Sequence, residues 1–405
     1  MSWIEKYELK LLWPFYLEQF IGNLFFIYPI FSILYFLDNN FSLTQIGIFF
    51  GLLGFSVIIF EMPTGAIADL YGRKFSVILG NLLIGINLII IMFAKDFFLI
   101  CILYFLWGLF YTLTSGSRDA WFVDLLKTNK KGKKIHDLNS VVTAISSGGV
   151  IIAGIIGAFL VKYFGLEIIW IFSGMAFILA GLALLFAKQE HIEKKELNLL
   201  KTWQNIFNQM KNSGKKVYND SNIFYLIIAG MFLVIAIIFA GDLTFYPLIK
   251  EAGFKEYYFG FLISICYSIG LLVPLINKSL IKKLGGPKKY IIGIISLLFI
   301  FTFPIILINH LYGYLALYII GFFLFIFYGP VRFSFFHSFL PSKKRATIDS
   351  IGNMINALII AIISPIVGFT ADTLGYKWTI FIGALFYIPA IIMYSKVKGE
   401  GRKHL

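Results

Sequence analysis

The chain has 405 residues, of which 59% are hydrophobic, 18% are aromatic and only 14% are charged, and its formal net charge is +14. This composition excludes an ordinary soluble globular protein and is typical of a protein with many membrane spans. It also excludes a nucleic-acid-binding protein, because the sequence has no water-soluble domain that would concentrate the positive charge.

Twelve apolar stretches are long enough to cross a membrane, since a spanning helix needs about 20 residues. Their length and continuity favour helices over the short alternating strands of a membrane barrel. The predicted spans, numbered one to twelve, cover 9–36, 43–68, 74–94, 97–123, 139–163, 166–187, 223–247, 256–281, 288–309, 312–334, 348–371 and 376–395. The first stretch is too long, and too often interrupted by polar residues, for a cleaved signal peptide.

The basic residues alternate in number from loop to loop. If the N-terminus is cytoplasmic, the inner segments carry 29 of the 35 Lys and Arg residues and the outer loops carry five, which leaves Arg118 inside a span. This distribution follows the positive-inside rule. We therefore expect a multi-pass membrane protein with both termini in the cytoplasm, and we ascribe the excess charge to topology and anionic lipid.

The longest polar stretch, 188–222, divides the spans into six plus six. Its apolar residues recur at roughly helical spacing, which predicts a cytoplasmic linker with an amphipathic helix on the membrane surface. We expect a six-helix bundle over 1–187, this linker, and a second six-helix bundle with a short cytoplasmic tail over 223–405.

The two halves resemble each other weakly. Span four contains SGSRDAWFVD and span ten contains YGPVRFSFFH, and these segments align when Gly116 is placed on Gly329. The hairpin GAIADLYGRK at 65–74 has a degraded counterpart, KSLIKKLGGPKK at 278–289, with Lys282 where Asp69 stands. Two related bundles around a central path are the pattern of secondary transporters.

With twelve predicted spans, a basic central loop and GAIADLYGRK between spans two and three, the chain resembles the major facilitator superfamily. The longer string EMPTGAIADLYGRK and the later RATIDS resemble a prokaryotic branch of drug and small-solute permeases. The resemblance implies an all-α membrane fold of 12 transmembrane helices in two pseudo-symmetric bundles.

The resemblance also implies a conformational latch on the cytoplasmic face. Asp69 would meet the start of span eleven in the outward-facing state, where a helix N-terminus stabilises a carboxylate by about 0.3–1 kcal/mol. Arg73 would join Asp69 to Asp124, while Gly65 and Gly72 would allow close approach and a tight turn. The alternative is that the basic residues only set topology and Asp69 caps the loop.

Ionisable residues inside membrane spans are costly and usually face a cavity or a partner. Five qualify here, namely Glu18, Glu61, Arg118, Asp119 and Asp242. Counting helical rise from the inner ends of spans two and four places Glu61 and Arg118 at similar depth, close to that of Glu18. We therefore predict that Arg118 pairs with one of these acids.

In the superfamily that the chain resembles, spans one, four, seven and ten line the central cavity. This implies that Glu18 and Arg118 are the best candidates for a proton-coupling site, with Glu61 and Asp119 as further candidates; the alternative is a structural Glu61–Arg118 pair. Asp242 lies near the outer end of its span and is expected to be interfacial. The candidate substrate-lining residues are Tyr16, Asn23, Tyr28, Tyr267 and Tyr328.

Span five carries Gly149, Ala153, Gly154 and Gly157, a ridge of small residues that permits close helix packing. It resembles the antiporter signature of the superfamily, but Gly154 stands where that signature has Pro. The departure puts antiport in doubt without excluding it.

No constellation of catalytic or metal-binding residues is present, since the sequence lacks paired metal-ligand His residues, a phosphate-binding loop and a nucleophile elbow. We expect a monomeric transporter, not an enzyme, that needs no cofactor besides a proton gradient. It would move a small organic solute by alternating access, by export against protons. The alternatives are a proton-coupled importer or facilitator of a nutrient or organic anion, and a lipid-handling or non-transporting membrane protein.

Overall fold

A computed structural model describes residues 6–128, 135–188, 220–340 and 345–399, and every regular element in these ranges is helical. The predicted linker helix falls at 189–219 and lies outside the described residues. In the N-terminal half the helices are α1 (Lys6–Asn23), α2 (Ile27–Asp38), α3 (Leu43–Tyr71), α4 (Arg73–Phe93), α5 (Phe97–Thr114), α6 (Ser117–Thr128), α7 (Ile135–Phe164) and α8 (Ile168–Ala183).

The C-terminal half repeats this arrangement of long and broken helices. Its helices are α9 (Ser221–Phe239), α10 (Asp242–Glu251), α11 (Tyr258–Gly270), α12 (Val273–Leu284), α13 (Pro287–Thr302), α14 (Leu311–Phe339), α15 (Arg345–Leu374), α16 (Tyr376–Leu385) and α17 (Tyr387–Lys396). Short 3-10 turns follow α1, α8 and α13.

Within the described ranges, eleven helical stretches are long and apolar enough to cross a membrane. The predicted eighth span is not among these stretches, because it is divided at Leu271–Leu272 into α11 and α12, which are each too short to be counted. The all-α membrane fold predicted from the sequence is confirmed, with this span in two pieces.

The chain divides into two compact units that exchange short segments. Unit 1 contains Met1–Asn39, Leu52–Leu199 and Glu256–Ser268, and unit 2 contains Asn40–Gly51, Leu200–Lys255 and Ile269–Leu405. The first third of α3 therefore belongs to unit 2, while most of α11 belongs to unit 1.

The core of unit 1 is built from close backbone contacts and large aromatic side chains. Gly85 on α4 faces Gly174 on α8, and a Cβ atom at either position would lie within 2.6 Å of the other's carbonyl oxygen. Farther along the unit, Trp170 is fully buried against Tyr28, and Tyr28 also packs on Trp107 at 4.8 Å between ring centroids.

The core of unit 2 uses tyrosines in the same way. Tyr290 is fully buried and donates to the side-chain oxygen of Asn277 at 2.6 Å. Tyr328 and Tyr394 are buried, and their hydroxyls lie 2.8 Å apart. Each phenol thus buries a large apolar ring and still satisfies its hydroxyl, which an apolar environment requires.

One lysine in each unit closes the end of the last helix of that half. Lys74, the second residue of α4, donates from Nζ to the carbonyl oxygens of Leu185 and Ala187, both at 2.7 Å. Lys288, the second residue of α13, donates to the carbonyl oxygens of Ser395 at 2.8 Å and Val397 at 2.6 Å. A cation there satisfies carbonyls that the ending helix leaves open and complements its dipole.

These contacts correct the register of the internal repeat by one residue. Gly72 precedes α4 with φ 95°, and Gly286 precedes α13 with φ 121°, so these two glycines correspond. Lys283, rather than Lys282, then stands opposite Asp69. The sequence alone could not fix this register, because Gly285 and Gly286 are adjacent and both have positive φ.

We expect Lys288→Met to lower the thermal unfolding midpoint of the purified protein by a few degrees, because two carbonyls lose a charge-assisted donor worth about 1–2 kcal/mol. Lys289→Met is the matched control, since the neighbouring Lys289 is exposed. Equal midpoints for the two variants, measured in one detergent, would contradict this role.

Candidate functional site

Two charged side chains meet inside unit 1. The guanidinium Nη1 of Arg118 on α6 lies 3.7 Å from Oε1 of Glu18 on α1. Glu18 is only 6% exposed, so its charge is compensated by Arg118 rather than by bulk water. Of the acids expected near the depth of Arg118, the structure brings Glu18 to it.

Neutral polar groups extend this pair from α6 across α1 to α7. Gln19 accepts a hydrogen bond from Arg118 through Oε1 and donates through Nε2 to the hydroxyl of Ser146 at 2.6 Å. Ser146 in turn donates to the carbonyl oxygen of Val142, at 2.9 Å. Glu18, Gln19, Arg118 and Ser146 are therefore one connected network on three helices, which we call the unit 1 polar cluster.

Both spans that supply the charges are interrupted beside the unit 1 polar cluster. Span one changes to a 3-10 turn at Leu24–Phe26, and Asn23 donates from its side chain to the carbonyl oxygen of Gln19 at 2.6 Å. Span four stops at Thr114 and resumes at Ser117, directly before Arg118. In secondary transporters, discontinuous spanning helices of this kind mark the substrate and ion sites.

Aromatic packing holds α6 against α1. Trp121 lies three residues after Arg118, so the two share one face of the helix. Its ring is fully buried, with its centroid 4.6 Å from that of Phe15 on α1. The indole nitrogen of Trp121 also donates to the carbonyl oxygen of Lys188 at 3.2 Å. The orientation of Arg118 toward Glu18 is therefore set by a rigid neighbour.

Small residues on α7 bring that helix close to its neighbours. A Cβ atom on Gly149 would lie 2.8 Å from the Cβ atom of Asn23. Gly154 faces α11, where a Cβ atom would lie 2.5 Å from the carbonyl oxygen of Gly260, and Ser264 donates to the carbonyl oxygen of Ile151 at 2.7 Å. The small-residue ridge of span five thus makes tight contacts on two sides.

The other acids proposed for the site lie elsewhere or outside the described side chains. Glu61 is half-buried on α3, one turn before Thr64, whose hydroxyl donates to the backbone there. Asp119 and Asp124 are on α6, but their side chains are not among those described.

The residues of the expected cytoplasmic latch lie at the end of α3 and the start of α4. Gly65 and Asp69 are exposed, and no described atom lies within 4 Å of a Cβ atom built on Gly65. Gly72 is buried in the turn with φ 95°, and Arg73 is half-buried. The latch remains a proposal, because the side chains at the start of span eleven are not among those that the structure describes.

The tyrosines and asparagine considered as substrate-lining residues fall into two groups. Tyr16 is 7% exposed, and Tyr28 and Tyr328 are buried with their hydroxyls bonded to Tyr104 and Tyr394. These three side chains belong to helix packing in this structure. Asn23 and Tyr267 are half-buried, and Tyr267 packs edge-on against Phe26.

A second arginine inside a span had been counted with an inner loop. Arg332 lies within α14, where its guanidinium is 3.0 Å from a Cβ atom built on Gly230 and bonds to the hydroxyl of Tyr394. The internal repeat could have revealed this residue. When Gly116 is aligned with Gly329, Arg332 lies one position from the counterpart of Arg118.

Span seven is also broken, and an acid stands at the break. Asp242 begins α10 three residues after α9 ends, and it accepts a hydrogen bond from Tyr318 at 3.1 Å. The hydroxyl of Tyr246 lies 3.2 Å from that of Tyr318. Asp242, expected to be interfacial, is thus fixed at a helix break by a tyrosine pair.

Comparison with known proteins identifies the family to which the chain belongs. A family model described as Major Facilitator Superfamily matches residues 20–363. The chain belongs to the major facilitator superfamily. It is therefore a multi-pass membrane transporter of this superfamily, as the resemblance of its hairpin and spans implied.

Relatives and solved structures agree with this membership. The major facilitator chain is 23% identical to the uncharacterised MFS-type transporter YxaM of Bacillus subtilis (strain 168), over 92% of both chains. A bacterial homologue of the iron transporter ferroportin, in an inward-facing state, has the same fold with a TM-score of 0.77 at 13% identity, over 96% of this chain and 98% of that one. The nucleoside transporter NupG follows with a TM-score of 0.73 at 13% identity, over 95% and 98%.

We expect Gly149→Ala to disturb the unit 1 polar cluster, because the added methyl group would meet Asn23 and force α1 from α7. Overpacking of this kind costs typically about 1–3 kcal/mol. Gly148→Ala is a matched control, since no described atom lies within 4 Å of its Cβ position. The measurement is the thermal unfolding midpoint together with solute transport, and a Gly149→Ala protein that equals Gly148→Ala in both would contradict the tight contact.

Proposed function

We propose that this major facilitator protein is a secondary active transporter that exports a small organic solute by alternating access in exchange for protons. The observation that carries the proposal is the Glu18–Arg118 pair, in which Glu18 is buried and which lies beside the breaks in spans one and four. A membrane-embedded ion pair with neutral hydrogen-bonding neighbours can bind a polar solute and also exchange a proton.

The coupling follows from charge compensation in a poorly hydrated site. A buried carboxylate keeps its charge only while an opposite charge or a hydrogen-bond donor compensates it. A proton bound to Glu18 and a polar group of the solute can each take this role beside Arg118. If the two compete for Glu18, a proton that binds from outside displaces the solute to the outside. The next change of state carries the proton inward, where its release frees Glu18 for another solute molecule.

The unit 1 polar cluster also contains groups that recognise a solute by hydrogen bonds. Arg118 presents several N–H donors, while Gln19 and Ser146 present both donors and acceptors. Their mutual hydrogen bonds keep these groups in place before a solute arrives, which reduces the ordering cost of binding. We therefore infer that the solute is small and polar in at least one part.

A second candidate function is transport of an organic anion, such as a nutrient taken up with protons. The side chain of Arg118 is 32% exposed, whereas that of Glu18 is 8% exposed, so the guanidinium is the more accessible partner. A planar guanidinium binds carboxylate or phosphate groups in a bidentate manner. The NupG fold shows that this architecture serves a nucleoside transporter, although the likeness is one of fold alone.

We further propose that the protein lies in the inner membrane of a prokaryote as a monomer, with both termini in the cytoplasm and no cofactor besides the proton gradient. The support is the distribution of Lys and Arg over the loops, which favours this orientation of the spans.

Proton coupling is tested in proteoliposomes with an imposed pH gradient and a broad solute panel. Gradient-driven accumulation should occur with the wild-type protein and be lost in Glu18→Gln, which keeps the shape of the side chain but cannot exchange the proton. Glu167→Gln, an exposed acid before α8, should behave as wild type. Accumulation driven equally well in Glu18→Gln, or indifferent to the gradient in the wild type, would sink the proposal.

The anion candidate is tested by binding, independently of any gradient. Arg118→Met should weaken binding of an anionic solute roughly ten- to hundredfold, since a hydrogen bond to a charged group contributes about 1.5–3 kcal/mol. The affinity of a neutral analogue should change less. Titration calorimetry with such matched solute pairs makes the comparison, and equal losses for both members would reject an anionic substrate.

A further inference from the structure

The carboxylate of Asp372, at the C-terminal end of α15, lies against the N-terminus of α3. Oδ1 accepts from the backbone N–H of Leu43 at 3.0 Å, and Oδ2 accepts from the backbone N–H of Thr44 at 2.8 Å and from its hydroxyl at 2.6 Å. All of these residues belong to unit 2. A helix N-terminus carries a partial positive charge. A carboxylate bonded there is therefore stabilised both by its hydrogen bonds and by attraction to that charge.

Among the described residues, Asp372 is the acceptor recorded for the backbone N–H groups of Leu43 and Thr44 in the first turn of α3. Its next N–H groups are satisfied from Ser42, because Gln45 donates to the Ser42 hydroxyl at 3.2 Å and Ile46 donates to the Ser42 carbonyl at 3.0 Å. Asp372 therefore completes the cap of a helix that is more than 300 residues away in sequence.

Below this cap the two helices touch backbone to backbone. A Cβ atom on Gly368 would collide with the carbonyl oxygen of Leu43, and one on Gly47 would collide with that of Ser364. One turn deeper, a Cβ atom on Gly51 would lie 2.9 Å from the carbonyl oxygen of Ala361. The part of α3 that belongs to unit 2 ends at Gly51.

The segment that carries Asp372 repeats the pattern of the cytoplasmic hairpin. In Gly368–Lys377 the residues Gly, Ala, Asp, Gly and Lys have the same spacing as in Gly65–Lys74. The geometry repeats as well, because Gly72 donates to Ala68 and Gly375 donates to Ala371, both at 3.0 Å, and both glycines have positive φ. Each acid thus stands three residues before a left-handed turn that ends a span.

We propose that Asp372 is an outer latch, which holds the N-terminus of α3 on α15 in one conformational state and releases it in the other. It is the reciprocal of the cytoplasmic latch predicted for Asp69. Helices α3 and α15 are antiparallel along their contact, and each has an acid near its C-terminal end, Asp69 on α3 and Asp372 on α15. In this structure both acids are exposed, and the carboxylate of Asp372 is hydrogen-bonded to the N-terminus of α3.

The outer latch depends on neither proton coupling nor substrate, so it is tested without transport. The full chain carries Cys101→Ser and Cys266→Ala, and a reporter cysteine replaces Ser364, which is 4% exposed beneath Gly47. A membrane-impermeant maleimide is added to spheroplasts of expressing cells, and the rate at which it modifies the reporter measures opening of α3 from α15 on the outer side.

Asp372→Asn should raise this rate about tenfold, because an amide keeps the shape but loses the charge-assisted bonds. Thr44→Val removes only the hydroxyl bond and should raise the rate less. Asp96→Asn is the matched control, since Asp96 is another acid at a helix N-terminus but caps its own helix through Leu99 at 2.9 Å. Its rate should equal that of the parent.

Three further variants separate the latch from general loosening. Gly47→Ala should raise the rate because its methyl group meets the Ser364 carbonyl, whereas Gly321→Ala, with no described atom within 4 Å, should not. Asp69→Asn should lower the rate if the two latches exchange. An unchanged rate in both Asp372→Asn and Thr44→Val, an equal rise in Asp96→Asn, or a rise in Asp69→Asn would overturn the proposal.

Discussion

A helix that ends or breaks leaves backbone N–H and C=O groups without hydrogen-bond partners, and away from water the protein itself must supply those partners. The main contacts between helices in this chain meet that requirement. Lys74 and Lys288 close helix C-termini, Asp372 closes an N-terminus, and Asn23 bonds the backbone beside the break in span one. Side chains that cap the backbone are therefore also those that tie one helix to another.

The candidate site follows from the same constraint. Breaking spans one and four frees backbone groups and makes room, and polar side chains can collect there without meeting lipid. The Glu18–Arg118 pair takes its place at these breaks, held by Gln19 and by the packing of Trp121. Tight contact of α7 through Gly149 then fixes the distance between α1 and Ser146. Recognition and rigidity thus arise from neighbouring residues of the same helices.

Much of the fold could be predicted from the sequence, because apolar length and loop charge are strong one-dimensional signals. The membrane spans and five ionisable residues within them could be identified in this way, although Arg332 was missed, and Arg118 does meet one of the acids expected at its depth. The depth argument alone could not choose between Glu18 and Glu61, since it ignores which helix faces which.

Helix breaks and exact register were beyond the sequence signal. Both the 3-10 turn at Leu24–Phe26 and the break at Leu271–Leu272 consist of apolar residues and contain no Pro. The hydropathy pattern is therefore continuous across them and does not reveal the breaks. Arg332 was assigned to a loop because it lies near the end of an apolar run, and the docking of Asp372 joins segments that only the three-dimensional structure brings together. In each case the deciding fact is a tertiary contact.

The continuity of α3 has a mechanical consequence. This 29-residue helix passes without interruption from unit 2 into unit 1 at Gly51–Leu52, whereas span eight has a joint at Leu271–Leu272, close to its own change of unit. Span eight can bend at that joint, whereas α3 crosses the unit boundary without a break. A movement of the α3 N-terminus at the proposed outer latch would therefore be passed along the helix as far as Pro63, where the missing backbone donor allows the last turns before Asp69 to bend.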